Sequence, residues 1–320
     1  MRFILVNSSN RKPLQENPKF QWRFISPKYW ITWSGIGFLY LLSWLPFRVQ
    51  LVLGKWLGNL LHVLLKRRRY IADKNLQLCF PNMDEKERSQ LVKVNFQNTG
   101  IAMFESGIAW WWPSWRFKSK FKLIGQEHIE QPRKSGKGAL VLFSHILPLE
   151  IMGRVMSEYK PYVGFYRPHN NPVIEWVQYC GRCRNQNLMI SKRDVKSLLK
   201  ALSDGEACVY LPDHDYGKKR SVFVPFFAVN DASTTTGTEI FASHKNAVTV
   251  PTYMQRLPGT QGYELEFLPQ LSNYPDSNSR TNAVIVNNWV EQSVLKNKEQ
   301  YMWVHRRFKT RPDDNAKPLY

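Results

Sequence analysis

The segment ALVLFSHILPLE, residues 139–150, indicates the fold class of the chain. Ala139 to Phe143 is a short apolar run of the kind that forms a strand buried on both faces. Pro148 is best tolerated in the first turn of a helix, which places the start of a helix close to Leu149. The segment therefore predicts a strand, a connection and a helix, the repeating unit of parallel α/β sheets.

The same alternation continues towards the C-terminus. Further short β-branched and aromatic runs predict strands at Tyr162–Tyr166, Ala207–Leu211 and Ala247–Tyr253. Helical patterns lie between them, at Leu149–Ser157, Val173–Cys180, Arg193–Ser203 and Thr236–Lys245, and Thr234 to Thr236 are predicted to cap the last of these. Residues 116–320 are therefore predicted to form one α/β domain, with a mostly parallel sheet flanked by helices.

Within the opening segment, His145 and Glu150 are ionisable residues in otherwise apolar surroundings. His145 falls in a connection after a strand, outside the carboxyl end of the sheet, where open α/β sheets bind ligands. A carboxylate bonded to one imidazole nitrogen leaves the other nitrogen as a base for a hydroxyl proton. The pair therefore predicts acyl transfer without a covalent enzyme intermediate, although a structural histidine remains an alternative. Ser144 lacks the G-x-S-x-G context of a serine nucleophile.

The first third of the chain has a different composition. Residues 1–28 are predicted to form a basic arm without clear periodicity. Residues 29–47 contain no charge and are predicted to form a membrane helix flanked by tryptophans, which spans the bilayer or lies in it, with a buried core helix as the alternative. Residues 48–115 are predicted to form an amphipathic, interfacial helical region, in which the helix after residue 48 either lies in the membrane surface or packs on the catalytic domain. It contains the basic cluster Lys66 to Arg69, which suits lipid phosphates or is simply a solvated charged face.

The charge balance limits the classes of partner. The chain has 45 Lys and Arg against 25 Asp and Glu, a formal charge of +20 that suits nucleic acid, an anionic membrane or an acidic protein. Twelve tryptophans favour the membrane surface. The four cysteines show no disulfide framework, which predicts reduced thiols in the cytoplasm, and Cys180 with Cys183 lacks the further ligands that a zinc site needs.

Several motifs spread over nearly the full length resemble the lipid A biosynthesis acyltransferases, most closely the branch of Kdo-dependent lauroyl transferases. They are SPKYWITWSGIGFLY at 26–40, KNLQLCFP at 74–81, the H-x4-E pair, YRPHNNPVIEW at 166–176, PDHDYG at 212–217, SVFVPFFAV at 221–229, TTTGT at 234–238 and EQYMWVHRRFKTRP at 299–312. The wider glycerolipid acyltransferases usually have Asp at the second position of the pair, whereas Glu150 matches the lipid A branch. The first 25 residues depart from the family.

The resemblance implies an inner-membrane enzyme facing the bacterial cytoplasm. It would move a fatty acyl chain, lauroyl in the nearest branch, from acyl carrier protein to a hydroxyacyl chain on Kdo-bearing lipid IVA. Anionic membrane lipids are further expected partners, and no cofactor is expected. His145 would be the general base and Glu150 would orient the imidazole.

Four further residues are predicted to bind substrate, namely Arg167, Asn171, Asp213 and Asp215. Arg167 follows a predicted strand and suits a phosphate or a developing oxyanion, with a structural ion pair as the alternative. Asp213 is predicted to orient it. The run Asp213 to Asp215 has no known metal-ligand spacing, so no metal site is predicted.

Three other functions remain open on the sequence. A glycerophosphate acyltransferase would have the same fold, and a membrane lipid-binding protein would have no catalytic residue at all. A membrane-tethered nucleic-acid binder would use the basic clusters, but no RNA- or DNA-binding motif is present and no nucleic-acid partner is expected.

Overall fold

A computed structural model describes residues 18–320. The N-terminal part is helical, and the remainder alternates strands and helices. The helices are α1 Trp30–Ser43, α2 Phe47–Leu64, α3 Lys66–Cys79, α4 Glu85–Trp111, α5 Ser114–Phe117, α6 Glu127–Lys134, α7 Leu149–Tyr159, α8 Pro172–Arg182, α9 Val195–Ser203, α10 Gly237–Ala242 and α11 Ser279–Lys296. The strands are β1 Phe121–Ile124, β2 Gly138–Leu142, β3 Val163–Tyr166, β4 Leu188–Ser191, β5 Ala207–Tyr210, β6 Ser221–Phe226, β7 Val229–Thr235, β8 Ala247–Arg256 and β9 Tyr263–Phe267.

Seven strands form the main sheet, in the order β1-β9-β8-β2-β5-β3-β4. All neighbouring pairs are parallel except β8 and β9, which are antiparallel. The predicted α/β fold with a mostly parallel sheet flanked by helices is confirmed. Because β2 lies between β8 and β5 in the middle of this sheet, the connection that carries His145 lies at the centre of the sheet's carboxyl edge.

The central strand β2 is buried on both faces, as its uninterrupted apolar sequence predicts. Leu140 and Leu142 belong to a core shared with α9 and α11, whereas Ala139, Val141 and Phe143 belong to a second core shared with α6 and α7. The long helix α4 contributes to both cores, through Phe96 to the first and Ile108 to the second. Helices therefore cover the sheet on both sides.

The N-terminal hydrophobic segment differs from its prediction. The residues predicted to form one membrane helix, 29–47, are divided between α1, which has 14 residues, and the start of α2 at Phe47. Pro46 lies at the N-cap of α2, and the buried Gln50 side chain donates hydrogen bonds to the carbonyls of Ser43 and Leu45, so the turn is fixed. Among residues 18–320, none of the helices combines the length and apolar composition needed to cross a membrane.

Helix α2 packs closely against α4. At Gly58 an added Cβ would lie 2.3 Å from the Phe96 carbonyl oxygen, and at Gly100 it would lie 2.1 Å from the Gly54 carbonyl oxygen. Only glycine permits this approach of two backbones. The packing leaves an apolar stripe of α2 exposed on the opposite side, formed by Val49, Val52, Leu53, Trp56, Leu60, Val63 and Leu64.

The predicted basic arm lies partly outside the described residues, since the structure begins at residue 18. The remainder of it forms short 3-10 turns, and Phe24 is buried against Trp176 of α8 and its neighbours. The ring of Phe20 also contacts Trp176, at a centroid distance of 5.1 Å. Aromatic packing therefore holds the described part of the arm on the α/β domain. The mostly polar composition of the segment does not reveal these contacts.

The two strands β6 and β7 form an antiparallel hairpin outside the main sheet. This hairpin alters the prediction for the threonines, because Thr234 and Thr235 lie in β7 and only Thr236 occupies the N-cap of α10. The Thr235 hydroxyl accepts a hydrogen bond from the Gly237 amide, while Thr236 makes no side-chain cap bond. The prediction that all three residues cap the helix is therefore wrong.

Candidate active site

The connection after β2 places His145 at the carboxyl edge of the sheet. Its ring Nδ1 lies 2.7 Å from Oδ1 of Asp213, and its backbone amide donates to Oδ2 of the same carboxylate at 2.9 Å. Asp213 follows β5, which pairs with β2 in parallel register, so the two strand ends bring these residues together. The Asp213 carboxylate is thereby fixed at both oxygens.

Asp213 is ionised although it is buried. Burial alone would raise the pKa of its carboxyl group, but the His145 side chain, followed by His214 and then the His145 amide, holds the pKa well below its usual range. An ionised carboxylate can only accept hydrogen bonds. Nδ1 of His145 therefore carries the hydrogen in this contact, which leaves the Nε2 lone pair of the neutral ring available as a base.

Glu150 has different partners from those predicted. Its carboxylate forms an ion pair with Arg182 of α8 and accepts hydrogen bonds from Trp110 Nε1 at 2.8 Å and from Gln178 at 3.4 Å. Burial would raise the pKa of Glu150, but Arg182 and these donors lower it. Helix α7 turns Glu150 towards α8 and α4, so the imidazole donates its hydrogen bond to Asp213 and not, as predicted, to Glu150.

Of the other predicted site residues, Arg167 and Asp215 line the cavity beside His145, and Asn171 does not. Arg167 is exposed and lines the same cavity as His145. Asn171 is instead the N-cap of α8, where its side chain accepts from the amides of Val173 and Ile174 and donates to Thr32. Asp215 also borders the cavity, but its carboxylate accepts bonds from the Gly217 amide and from the amide and hydroxyl of Thr310.

A cavity of about 920 Å³ opens next to His145, beyond the ends of β3 and β5. Part of its wall is apolar, with side chains from α7, β3, β5 and α10, namely Leu149, Met152, Phe165, Val209, Ile240 and Phe241. Cationic side chains also line it, namely Arg167, Lys192, Arg193, Lys219, Arg220 and Lys309. Such a cavity suits a molecule with hydrocarbon and anionic parts.

The segment from Glu299 to His305 completes the site, which the sequence did not reveal. Leu147 donates from its amide to the Gln300 carbonyl at 2.7 Å, and the Met302 amide donates to the His145 carbonyl at 3.0 Å. The segment thus lies against the connection that carries His145. Only its place among the family motifs hinted at a role for it.

Two further histidines form a stack with His145, and sequence reasoning missed both. The His145 and His214 rings are 3.3 Å apart between centroids with planes 11° apart, and His214 and His305 are 3.7 Å and 9° apart. Burial lowers the pKa of His214 to about 2 and that of His305 to about 4, and the His145 ring adds to both shifts when it holds a second proton. Both rings are therefore neutral at physiological pH.

These lowered pKa values predict a loss of stability in mild acid. Between pH 6.5 and 4 the unfolded chain binds more protons at His305 than the folded chain, so the free energy of unfolding falls as the pH falls. His305→Phe removes this group, and we expect the variant to lose less stability than the wild type between pH 7 and pH 5. Urea unfolding at both pH values measures the difference. Equal pH dependence of the two proteins would contradict the expectation.

The chain matches known proteins over most of its length. The family model described as bacterial lipid A biosynthesis acyltransferase matches residues 17–310. A lipid A biosynthesis lauroyltransferase of Escherichia coli (strain K12) is 44% identical over 296 residues, which cover 92% of this chain and 97% of that relative. A palmitoleoyltransferase of the same strain is 40% identical over 92% of this chain and 96% of its own length. A lipid A biosynthesis acyltransferase of Haemophilus influenzae is 37% identical over 95% of this chain and 98% of its own length.

Proposed function

Because the chain belongs to the family of bacterial lipid A biosynthesis acyltransferases, we propose that it acylates a hydroxyacyl chain on Kdo-bearing lipid IVA with acyl carrier protein as the donor. The family makes it an acyltransferase, which decides against a non-catalytic lipid-binding protein. The observation that carries the proposed chemistry is the contact of His145 with the ionised Asp213 at the edge of the cavity. We infer that His145 is the general base and that Asp213 fixes its tautomer.

The proposed reaction is a direct transfer. His145 takes the proton from the acceptor hydroxyl while the hydroxyl oxygen attacks the carbonyl carbon of the donor thioester. A carbon–oxygen bond forms, the carbon–sulfur bond breaks, and the proton passes from His145 to the leaving thiolate. Ser144 takes no part, since its buried hydroxyl is within 2.8 Å of the Ser293 hydroxyl.

The charges of the cavity support an anionic acceptor and an acidic donor. Cationic side chains from four separate parts of the chain converge on it, among them Arg167, Arg193, Arg220 and Lys309. Guanidinium groups bind phosphate with paired hydrogen bonds, and a positive surface speeds the approach of an acidic protein. Arg167 keeps its proposed substrate-binding role, whereas Asn171 and Asp215 act through the elements that they hold.

The transferred chain is proposed to be lauroyl, the chain named in the relative that is 44% identical. The palmitoleoyl chain is the second candidate, because the relative named for it is nearly as similar, at 40% identity. Binding discriminates chains that differ by one methylene by only about 1–3 kcal/mol. A few side chains can therefore set the preference, and identity alone does not reveal it.

One experiment tests the donor, the acceptor and the chain length together. The purified protein is given a series of acyl carrier protein thioesters or, in parallel, the matching acyl-coenzyme A thioesters. The acceptor, in separate reactions, is lipid IVA with Kdo, lipid IVA without Kdo, or glycerol 3-phosphate. We expect one added lauroyl mass on the Kdo-bearing acceptor. Acylation of glycerol 3-phosphate in preference to the lipid would refute the proposal, as would transfer from acyl-coenzyme A alone.

We further propose that the protein lies on the cytoplasmic face of the inner membrane through the exposed stripe of α2. Its seven apolar residues have helical spacing, and the basic cluster from Lys66 to Arg69 follows directly. Large exposed apolar patches mark interaction surfaces, and basic residues beside them favour anionic lipids. The exposed side chains of α1, among them Trp30, Ile31, Phe38 and Leu41, extend the apolar surface.

Charging the stripe is expected to release the protein from membranes. The double variant Trp56→Glu with Leu60→Glu places two carboxylates where the proposal puts hydrocarbon, and its bound fraction on anionic vesicles should fall several-fold in a flotation assay. Leu295→Glu on α11 is the matched control, since Leu295 is also exposed but lies outside the stripe. Unchanged flotation of the double variant would exclude this surface.

A further inference from the structure

The two histidines stacked behind His145 have no part in the proton transfer proposed above. His214 belongs to the loop after β5, next to Asp213, and His305 comes from the C-terminal segment. Nε2 of His214 and Nδ1 of His305 are buried and, among the described residues, have no hydrogen-bond partner. Because neither nitrogen makes a bond there, the contact that the two rings offer to the stack is their flat faces.

Helix α3 holds the outermost ring in place. The buried Asn75 side chain donates to the carbonyls of Trp303 and His305, both at 2.7 Å, and Tyr320 donates to the oxygen of the same amide. On α4, Asn95 donates to the carbonyls of Glu299 and Tyr301. Two helices outside the sheet therefore fix the segment that carries His305, and through it the position of the third ring.

We propose that His214 and His305 are positioning residues, which hold the plane of the His145 ring so that Nδ1 stays on Asp213 and Nε2 stays directed at the acceptor hydroxyl. This proposal rests on the acyl transfer proposed above. A face-to-face neighbour at 3.3 Å leaves no room for water on that face of His145 and blocks rotation of the ring about its bond to Cβ. His305 restrains His214 in the same way.

Neutral neighbours also keep the transferred proton on His145. Asp213 and Arg307 act on both outer rings, as does His145 once it holds the proton, while Lys309 acts on His305 and His305 acts on His214. The cationic groups and burial together outweigh the carboxylate, so the pKa of each outer ring is lowered. The proton that His145 accepts therefore has no competing acceptor within the stack and remains available for the leaving thiolate.

Substitution of His305 separates positioning from chemistry. His305→Ala removes the outer ring, and we expect kcat to fall by about 10- to 100-fold, because a displacement of about 1 Å can cost ~100-fold. The KM values for donor and acceptor should stay nearly unchanged. His305→Phe restores a flat ring without nitrogens and should recover most of kcat, and His214→Phe should behave in the same way. His128→Ala, a half-buried histidine outside the cavity, is the control.

The outcomes are distinct. Wild-type kcat in His305→Ala overturns the proposal, and so does a loss in His305→Phe as large as that in His305→Ala, since the nitrogens would then be required. The proposal is also overturned if the loss of kcat in these variants is proportional to the loss of melting temperature, because unfolding would then explain the lower activity. The upfield ring-current shifts of the three histidine signals in NMR spectra test the stack without substrate, and their absence refutes it. If the wild type transfers no acyl group although these shifts are present, the proposed function fails instead.

Discussion

Replacement of His145 by alanine is expected to lower kcat by about 10²–10⁴-fold, the usual contribution of a positioned general base. The variant should fold, because the backbone amide of residue 145 still donates to the Asp213 carboxylate. The measurement is transfer from the carrier thioester to the lipid acceptor, with circular dichroism as the check on folding.

Ser144→Ala, at the residue next to His145, is the control variant. It removes the buried hydroxyl that contacts Ser293 and should keep most of the activity, since the direct transfer uses no serine nucleophile. Mass spectrometry of the protein after incubation with donor alone should show no added acyl mass. An acyl group on Ser144, or near-normal kcat in His145→Ala, would refute the direct mechanism.

The second large effect distinguishes the two carboxylates. Asp213→Asn keeps the shape but can turn an amide hydrogen towards Nδ1, which favours the wrong tautomer of His145. In serine proteases the corresponding exchange costs about 10⁴-fold in kcat, and we expect a loss of about 10²–10⁴-fold here. The KM values should change little.

Glu150→Gln should instead lower stability strongly and kcat only slightly. It leaves Arg182 mostly buried without its partner, and breaking a buried ion pair typically costs about 3–5 kcal/mol of stability. Below the melting temperature, however, we expect this variant to keep most of its kcat, because Glu150 makes its bonds to α8 and α4 rather than to His145. A kcat loss in Glu150→Gln equal to that in Asp213→Asn would assign the orienting role to Glu150 after all.

The sequence predicted the strand β2, the helix α7 and the position of His145 because these depend on local pattern. The partner of His145 depends instead on which strands are neighbours in the sheet. Asp213 and Glu150 both lie close to strand ends in sequence terms, and nothing in a single chain states that β5 pairs with β2. Proximity along the chain led to the prediction that Glu150 is the partner of His145. In the structure α7 turns Glu150 away towards Arg182, and Asp213 contacts the imidazole instead.

Two other differences have similar causes. The uncharged run of residues 29–47 has a composition typical of membrane helices, but the turn at Trp44 to Pro46 depends on Gln50, which a hydropathy average hides. His305 reaches the site only because Asn75 and Asn95 bind backbone carbonyls of a distant segment. Side-chain to backbone contacts of this kind have no periodic signature, so pattern analysis cannot detect them.

The dependence of the site on residues 299–305 has a consequence for the order in which the protein matures on the ribosome. Helices α1 to α4 and the strand β2 are synthesised first, and His145 and Asp213 can meet once β5 has joined the sheet. The segment that accepts the bonds of Asn75 and Asn95, and that adds the third ring, is translated much later. A nascent chain can therefore fold most of its sheet while His145, the proposed base, still lacks the support of residues 299–305, and we expect activity only after that segment has been translated.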